Sequence, residues 1–254
     1  MREEDVTMVK SETAGAVAIV TLDRAVRRNA LGTESMRALS AALRAADADD
    51  TVRAIVLTGA APAFCAGSDL KELGGLSIAE MCHHEADTAT VARSIGFLSK
   101  PVVAAVEGYA LGGGFILAVS CDVIVSAEDA RWHLAEVTNG WLPVWGLQAL
   151  ASRVGPVRAR LLTWGAEPID GREALRLGVA DYAAPAGDVL DRAIAVAEGL
   201  AKLPAEAVTS AKRFFEPFVM ADAERLDNVA SRMFARDCES SAAKATLSRF
   251  TVKK

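Results

Sequence analysis

Two short segments rich in small residues could present backbone N–H groups to a single oxygen atom. They are residues 63–70, AFCAGSDL, and residues 108–115, GYALGGGF. Small side chains let a substrate carbonyl approach the main chain closely, and two amide donors in a dry site stabilise a developing oxyanion by several kcal/mol. The second segment runs into an apolar helical pattern, so its amides would lie at a helix N-terminus, where the dipole favours negative charge. Together the segments predict an oxyanion-binding site and chemistry that passes through an enolate.

The order of these segments resembles the crotonase family, also called the enoyl-CoA hydratase/isomerase superfamily. The likeness covers nearly the whole chain, and its other matching stretches are residues 17–24, 28–31, 120–122, 135–136 and 171–174. The resemblance implies an α/β fold, built as a crotonase-like spiral of ββα units with a helical C-terminal portion. It places the spiral core and its acyl-CoA site in residues 1–195, and a helical trimerisation region in residues 196–254.

The same resemblance assigns catalytic roles. It implies that the backbone N–H groups of Ala66 and Gly113 are the two oxyanion donors, and that Glu136 is the general acid/base. A second glutamate of the hydratase pattern falls on Ile116, and an isoleucine cannot transfer a proton. The sequence therefore favours double-bond isomerisation of an enoyl-CoA, which needs one carboxylate and no bound water. We also expect the apolar Ile116 to raise the pKa of a neighbouring Glu136 carboxyl by desolvation.

Two other functions stay open at this point. One is hydration of a trans-2-enoyl-CoA, with a second polar group supplied from elsewhere, for which the candidates are His83, His84, Glu85 and Tyr109. The other is a protein that binds acyl-CoA without catalysis, which would also be consistent with the loss of a glutamate. Conversion of a conjugated enoyl-CoA would indicate hydration, and conversion of an unconjugated 3-enoyl-CoA would indicate isomerisation. Binding without conversion of either would indicate a non-catalytic protein.

The resemblance also implies which residues contact the substrate and which partners are absent. The predicted substrate-binding residues are Arg24, Val26, Ala66, Gly67, Ser68, Asp69, Leu70, Gly113, Ile116 and Trp141. Together with Trp132 and Trp145, Trp141 could line an acyl pocket, although packing in the core or between subunits is an equal alternative for each. No metal and no separate cofactor are implied, because coenzyme A is part of the substrate. The expected assembly is a homotrimer or a dimer of trimers.

The elements that must position these residues follow from hydrophobic periodicity. Short β-branched runs predict buried strands at residues 17–22, 54–58, 102–106 and 123–126. The first helix should begin near Thr33, with the Thr33 hydroxyl as its cap, and end before Asp49. Further helices are predicted at residues 78–98, 147–154, 157–164, 172–176, 189–203 and 205–218. Strands that alternate with helices in this way indicate an α/β domain.

Composition limits the class of protein further. The chain has 254 residues, a net charge of −5 and an isoelectric point near 5.4, so we expect neither nucleic acid nor an anionic membrane as a main partner. The acidic start has no secretory pattern, and the apolar stretches are too short to span a bilayer. The four cysteines are scattered and predict reduced thiols rather than a zinc site or a disulfide framework. These features predict a soluble protein with reduced thiols, and we expect it to be cytoplasmic.

Overall fold

Strands and helices alternate through the first half of the chain, and helices dominate the second half. The computed structural model describes residues 8–249. The strands are β1 (Val9–Ala14), β2 (Val17–Leu22), β3 (Ala54–Gly59), β4 (Val102–Val106), β5 (Tyr109–Leu111), β6 (Val123–Ala127), β7 (Arg131–His133) and β8 (Tyr182–Ala184). The helices are α1 (Thr33–Ala48), α2 (Leu70–Leu73), α3 (Ile78–Phe97), α4 (Gly113–Val119), α5 (Glu136–Asn139), α6 (Leu147–Val154), α7 (Pro156–Trp164), α8 (Gly171–Leu177), α9 (Val189–Ala201), α10 (Ala205–Met220), α11 (Ala223–Asp237) and α12 (Ser241–Leu247). The predicted α/β class is confirmed.

The core is a sheet whose strand order is β1-β2-β3-β4-β6-β8 within the described residues. β1 is antiparallel to β2, and every other neighbouring pair is parallel. The four predicted strands are confirmed: β2 and β4 have the predicted bounds, and β3 and β6 each continue one residue further. β4 is buried along its whole length, as expected for a parallel strand that is covered on both faces.

A second, two-stranded parallel sheet joins β5 to β7. Each strand has only three residues, which is too short for a periodic signal, and the sequence did not predict either one. This small sheet connects the glycine-rich segment to the chain that leads into Glu136. It is therefore the element that brings the predicted acid/base towards the predicted oxyanion amides.

Helix α1 has its predicted bounds but not its predicted cap. The N-cap residue is Gly32, which has no side chain that could cap the helix. The Thr33 hydroxyl and amide both donate to the carboxylate of Glu72. The prediction of a Thr33 cap is therefore wrong, because a carboxylate from the following segment takes the place of the cap at this N-terminus.

Helix α3 confirms the predicted long helix to within one residue. It begins with a capping box, in which Ser77 and Glu80 exchange side-chain and backbone hydrogen bonds. Its buried face includes the polar side chains of His84, Glu85 and Thr88, which a helix that packs only against the hydrophobic core would not need. Between residues 8 and 249, no helix combines the length and the apolar character that crossing a membrane requires.

The predicted boundary between the spiral core and the C-terminal helical region does not coincide with the end of a helix. The boundary between residues 195 and 196 falls within α9, and α9 packs against β2, β3, β4 and β6. The sheet and its helices therefore extend at least to Ala201, and the separate helical portion starts with α10. α10 and α11 pack against α3. Participation of this region in a trimer stays a prediction.

Candidate active site

Backbone hydrogen bonds hold the two small-residue segments side by side. The Phe64 amide donates to the Glu107 carbonyl over 2.7 Å, and the Cys65 amide donates to the Tyr109 carbonyl over 3.0 Å. In the opposite direction, the Leu111 amide donates to the Cys65 carbonyl over 3.0 Å. The segments therefore run parallel, as a short ladder, up to the point where each one turns into a helix.

Glycine is required at the two turns that end this ladder. Gly67 has φ +86° and Gly112 has φ +51°, in the half of conformational space that L-residues rarely adopt. A Cβ on Gly67 would also lie 2.7 Å from the Leu111 carbonyl oxygen, and one on Gly112 would lie 2.7 Å from Oε1 of Glu136. The turns can therefore approach each other, and the carboxylate, only because neither has a side chain.

The amides of Ser68 and Gly113, each one residue after a turn glycine, have no hydrogen-bond acceptor among the described residues. Both residues line one cavity. A Cβ built on Gly113 would lie 3.7 Å from the Ser68 nitrogen, so the two donors are close neighbours. Gly113 is also the first residue of α4, where N–H groups have no partner inside the helix.

The Ala66 amide is not free. It donates to the Arg28 carbonyl over 3.0 Å, and the Asp69 amide donates to the Leu31 carbonyl over 2.9 Å. Ser68 lies between these two bonded positions, its N–H has no acceptor among the described residues, and the residue lines the cavity. The prediction that Ala66 supplies an oxyanion donor is therefore corrected: the Ala66 N–H is already bonded, and the unbonded N–H that lies beside Gly113 belongs to Ser68, two residues later.

The cavity beside these amides has a volume of about 200 Å³ and a mostly apolar lining. The predicted catalytic and substrate-binding residues that line it are Ala66, Gly67, Ser68, Leu70, Gly113, Ile116, Glu136 and Trp141. Three predicted residues lie elsewhere. Val26 is 93% exposed, and Arg24 forms an ion pair with the buried Asp69 at 2.6 Å. Arg24 and Asp69 thus stabilise the segment that precedes α2 and do not line the cavity.

Glu136 is the first residue of α5 and has one oxygen without a partner. Its Oε2 atom is shielded from solvent and forms no hydrogen bond within residues 8–249. Burial raises the pKa of Glu136 to about 7; its own backbone N–H opposes the rise, and the charge of Glu85 adds to it. Ile116 lines the same cavity, so the direction predicted from an apolar neighbour agrees with the structure. A carboxyl with this pKa can both release and accept a proton near neutral pH.

A second carboxylate, Glu85, lines the same cavity. It comes from the middle of α3 and is only 5% exposed. The Ser68 hydroxyl donates to its Oε1 over 2.6 Å, and the indole Nε1–H of Trp145 donates to its Oε2 over 2.7 Å. The sequence offered Glu85 only as one of four candidates. Its spacing from the buried Met81 and Ala89 was the signal that it belongs to the inner face of α3.

A family model described as enoyl-CoA hydratase/isomerase matches residues 12–254. The chain belongs to the enoyl-CoA hydratase/isomerase family. The resemblance inferred from the two glycine-containing segments is thereby confirmed. Members of this family are enzymes that act on enoyl-CoA and other acyl-CoA thioesters.

Individual relatives agree with the family assignment. The chain is 39% identical over 202 residues to a probable enoyl-CoA hydratase of Rhizobium meliloti, a match that covers 79% of this chain and 78% of the relative. It is 33% identical over 204 residues to a short-chain-enoyl-CoA hydratase of Clostridium acetobutylicum, covering 80% and 78%. The crystal structure of an enoyl-CoA hydratase/isomerase from Mycobacterium paratuberculosis superposes with a TM-score of 0.86 at 25% identity, covering 97% of this chain and all of that one. The crotonase-like fold is confirmed.

The other candidates for a second polar group in this family member lie outside the cavity lining. His83 is exposed, and its Nδ1 contacts the Ala79 carbonyl. His84 is buried with Nδ1 3.3 Å from the Thr33 hydroxyl, and the Tyr109 ring lies under the guanidinium of Arg28.

The three tryptophans that could line an acyl pocket have different positions. Trp141 lines the cavity. Trp132 is a core residue, because its indole N–H donates to Ser126 and its ring packs edge-on against Phe115. Trp145 is buried, and its indole N–H holds Glu85.

Proposed function

We propose that the chain catalyses the addition of water to a trans-2-enoyl-CoA, with Glu136 as the acid that protonates Cα. The observation that carries the proposal is the unpartnered Oε2 of Glu136 in the cavity that also contains two free amides. Family membership limits the substrate to an enoyl-CoA or related thioester. The names of the relatives from Rhizobium meliloti and Clostridium acetobutylicum favour hydration among the reactions of the family.

In this proposal the thioester oxygen accepts hydrogen bonds from the amides of Ser68 and Gly113. Addition at Cβ moves negative charge onto this oxygen, and donors that are already oriented stabilise the resulting enolate without reorganising. Removing one such donor typically costs about 10² to 10³ in rate. The apolar lining strengthens the effect, because the field of a dipole is screened less in a dry site.

Glu136 completes the addition by transferring its proton to Cα. With a pKa of about 7, the carboxyl is present in both protonation states near neutrality, as a group that gives a proton in one direction and takes it in the other must be. The adjacent Gly112, which has no side chain, lets the carboxylate lie against the turn that supplies Gly113.

Double-bond isomerisation is the second candidate, and the position of Ile116 favours it. Ile116 lines the cavity and offers no proton, so Glu136 alone could shuttle hydrogen between Cα and Cγ. This is the reaction that the sequence favours. It makes no use of a bound water, which hydration requires.

Two substrates separate these reactions and a non-catalytic acyl-CoA-binding protein. Hydration predicts rapid loss of the conjugated-thioester absorbance when the enzyme is incubated with crotonyl-CoA. Isomerisation predicts the appearance of that absorbance from a 3-enoyl-CoA. Binding of either thioester with neither change would identify a non-catalytic protein, and an isomerase without hydratase activity would refute the proposal.

The remaining expectations are also proposals. We propose that coenzyme A runs along residues 24–28 and 66–70 without a metal or further cofactor, and that the enzyme is cytoplasmic. α10 exposes Phe214, Phe215 and Phe218, which contact one another at the surface. Such a patch supports burial between copies of the chain in a trimer or hexamer. Light scattering on the purified protein would test the assembly.

A further inference from the structure

Hydration requires a base for the attacking water, and neither Glu136 as the acid nor the amides of Ser68 and Gly113 supply one. Glu136 can protonate Cα, and the amides of Ser68 and Gly113 can hold the enolate oxygen, but the attacking water must lose a proton to a base. In α4, the residue that lines the cavity after the glycine turn is Ile116, which has no basic atom. The base must therefore come from another element.

Glu85 has the position and the fixed orientation for this role. It lines the cavity from α3, and each carboxylate oxygen accepts one hydrogen bond, from Ser68 Oγ at 2.6 Å and from Trp145 Nε1 at 2.7 Å. Each oxygen of a carboxylate can accept about two hydrogen bonds, so both retain capacity for a water. A buried carboxylate held at both oxygens loses little further freedom when it binds that water.

The two residues that hold Glu85 are also tied to the free amides. Ser68 provides both the hydroxyl that contacts Glu85 and one of the N–H groups that would bind the thioester oxygen. The Trp145 ring lies against the other amide donor, since a Cβ on Gly113 would be 3.2 Å from its Cζ2 atom. The position of Glu85 is thereby fixed relative to the expected position of the thioester.

We infer that Glu85 binds and deprotonates the attacking water, in place of a carboxylate at the position of Ile116. The inference rests on the proposed hydration. One O–H bond of the water breaks as its proton moves to Glu85, and the oxygen forms a bond to Cβ. The Cα=Cβ electrons move towards the thioester oxygen, and the enolate then takes a proton from Glu136 at Cα. Glu85 finishes protonated and Glu136 ionised; Glu85 then releases its proton to solvent water and Glu136 takes one proton up from solvent water, which restores both groups.

The test compares two reactions that use different parts of the site. Hydration of crotonyl-CoA would need Glu85, Glu136 and both amides. Exchange of the Cα hydrogen of butyryl-CoA with deuterated water would need only Glu136 and the amides, because no water adds. The variant is Glu85→Gln, and Asp87→Asn is the matched control, since Asp87 is an exposed carboxylate on the same helix.

We expect Glu85→Gln to lower kcat for hydration by about 100-fold or more, with Cα exchange within about threefold of wild type. Asp87→Asn should change neither rate. Parallel loss of both reactions would overturn the inference, since it would mean that Glu85 only stabilises the Ser68 turn. Hydration at the wild-type rate by Glu85→Gln would overturn it as well, while leaving the proposed function intact.

Two further results complete the test. A wild-type enzyme that isomerises a 3-enoyl-CoA but does not hydrate crotonyl-CoA would overturn the proposed function and this inference together. If Glu85→Gln does not fold, Glu85→Asp provides the same comparison, because it keeps the charge but withdraws the carboxylate from the cavity. Selective loss of hydration in Glu85→Asp is the expected result, and equal loss of hydration and exchange would again overturn the inference.

Discussion

The two carboxylates of the cavity have opposite surroundings. Glu136 lies at the start of a four-residue helix, its Oε2 has no partner in the described part of the chain, and burial raises its pKa to about 7. Glu85 lies in the middle of a 20-residue helix, and a hydroxyl and an indole N–H hold its two oxygens. One carboxyl is thus free to exchange a proton, whereas the other is fixed in place. The difference suggests that a pair of like residues can divide the work of acid and base through their environments alone.

Replacement of the Glu136 carboxyl by a group that cannot transfer a proton should have the largest effect on catalysis. We expect Glu136→Gln to lower kcat by about 10² to 10⁴ with little change in thioester affinity, because general acid/base catalysis contributes that much. Steady-state kinetics with isothermal titration of an acyl-CoA measures both quantities. Glu12→Gln, at an exposed position on β1, is the control. Turnover close to wild type in Glu136→Gln would remove Glu136 from the mechanism.

The burial of Glu136 should also make stability depend on pH. Its folded-state pKa of about 7 lies above the ordinary value of 4.5, so the folded protein binds the proton more tightly than the unfolded chain. Its contribution is therefore fully present below pH 4.5 and is lost as pH rises through 7. Relative to Glu136→Gln, wild type should lose on the order of 3 kcal/mol of unfolding free energy between pH 4.5 and 8.

Urea denaturation of wild type and Glu136→Gln across this range measures the difference. Subtracting the two curves removes the contribution of the other titrating groups, because those groups are common to both proteins. A difference that does not vary with pH would show that the carboxyl is solvated, and the contrast with Glu85 would then disappear.

A methyl group at the turn beside Glu136 should disturb the free carboxylate without removing it. Gly112→Ala places a Cβ where it meets Oε1 of Glu136 and forces alanine to φ +51°. We expect a loss of about 1–3 kcal/mol of stability from the strain, and about 100-fold in kcat from displacement of the carboxylate.

Gly155→Ala is the matched control for this change. Gly155 has φ +76°, and a Cβ there would meet no atom of residues 8–249 within 4 Å. It should lose comparable stability but keep its activity. Equal activity losses in the two variants would indicate that the effect comes from backbone strain and not from a contact between the new Cβ and Glu136.

Loss of one donor to Glu85 should have the smallest effect. Trp145→Phe removes the indole N–H that donates to Oε2, and a hydrogen bond to a charged group contributes about 1.5–3 kcal/mol. We expect roughly a tenfold fall in hydration and a smaller fall in Cα exchange. Trp132→Phe removes the N–H bonded to Ser126 in the core and should affect both reactions alike. The comparison fails if the two variants behave in the same way.

The sequence predicted those parts of the fold and site that are encoded locally. Runs of β-branched residues identified β2 and β4 at their observed bounds, because a buried parallel strand must be apolar along its length. Glu136 and Gly113 were predicted from the residues next to them in the sequence, which resemble the corresponding stretches of the family. β5 and β7 were missed because three residues give no period, and their pairing depends on segments distant in sequence.

The corrections concern properties that depend on tertiary contacts. A run of small residues shows where amides can be exposed, but not which amide a neighbouring strand already uses. The carbonyls of Arg28 and Leu31 take the amides of Ala66 and Asp69 and leave that of Ser68. The position of Glu85 was only partly visible in the sequence: its spacing from Met81 and Ala89 indicates the buried face of α3, but not that this face reaches the cavity. In neither case does the local sequence contain the deciding contact.

A crystal structure with butyryl-CoA, a saturated thioester to which water cannot add, tests the central claim most directly. We predict that the thioester oxygen lies about 3 Å from the amide nitrogens of both Ser68 and Gly113, with the Glu136 carboxyl next to Cα. The Ala66 amide should remain bonded to the Arg28 carbonyl. A thioester oxygen bound to the Ala66 amide, or bound to neither Ser68 nor Gly113, would contradict the account.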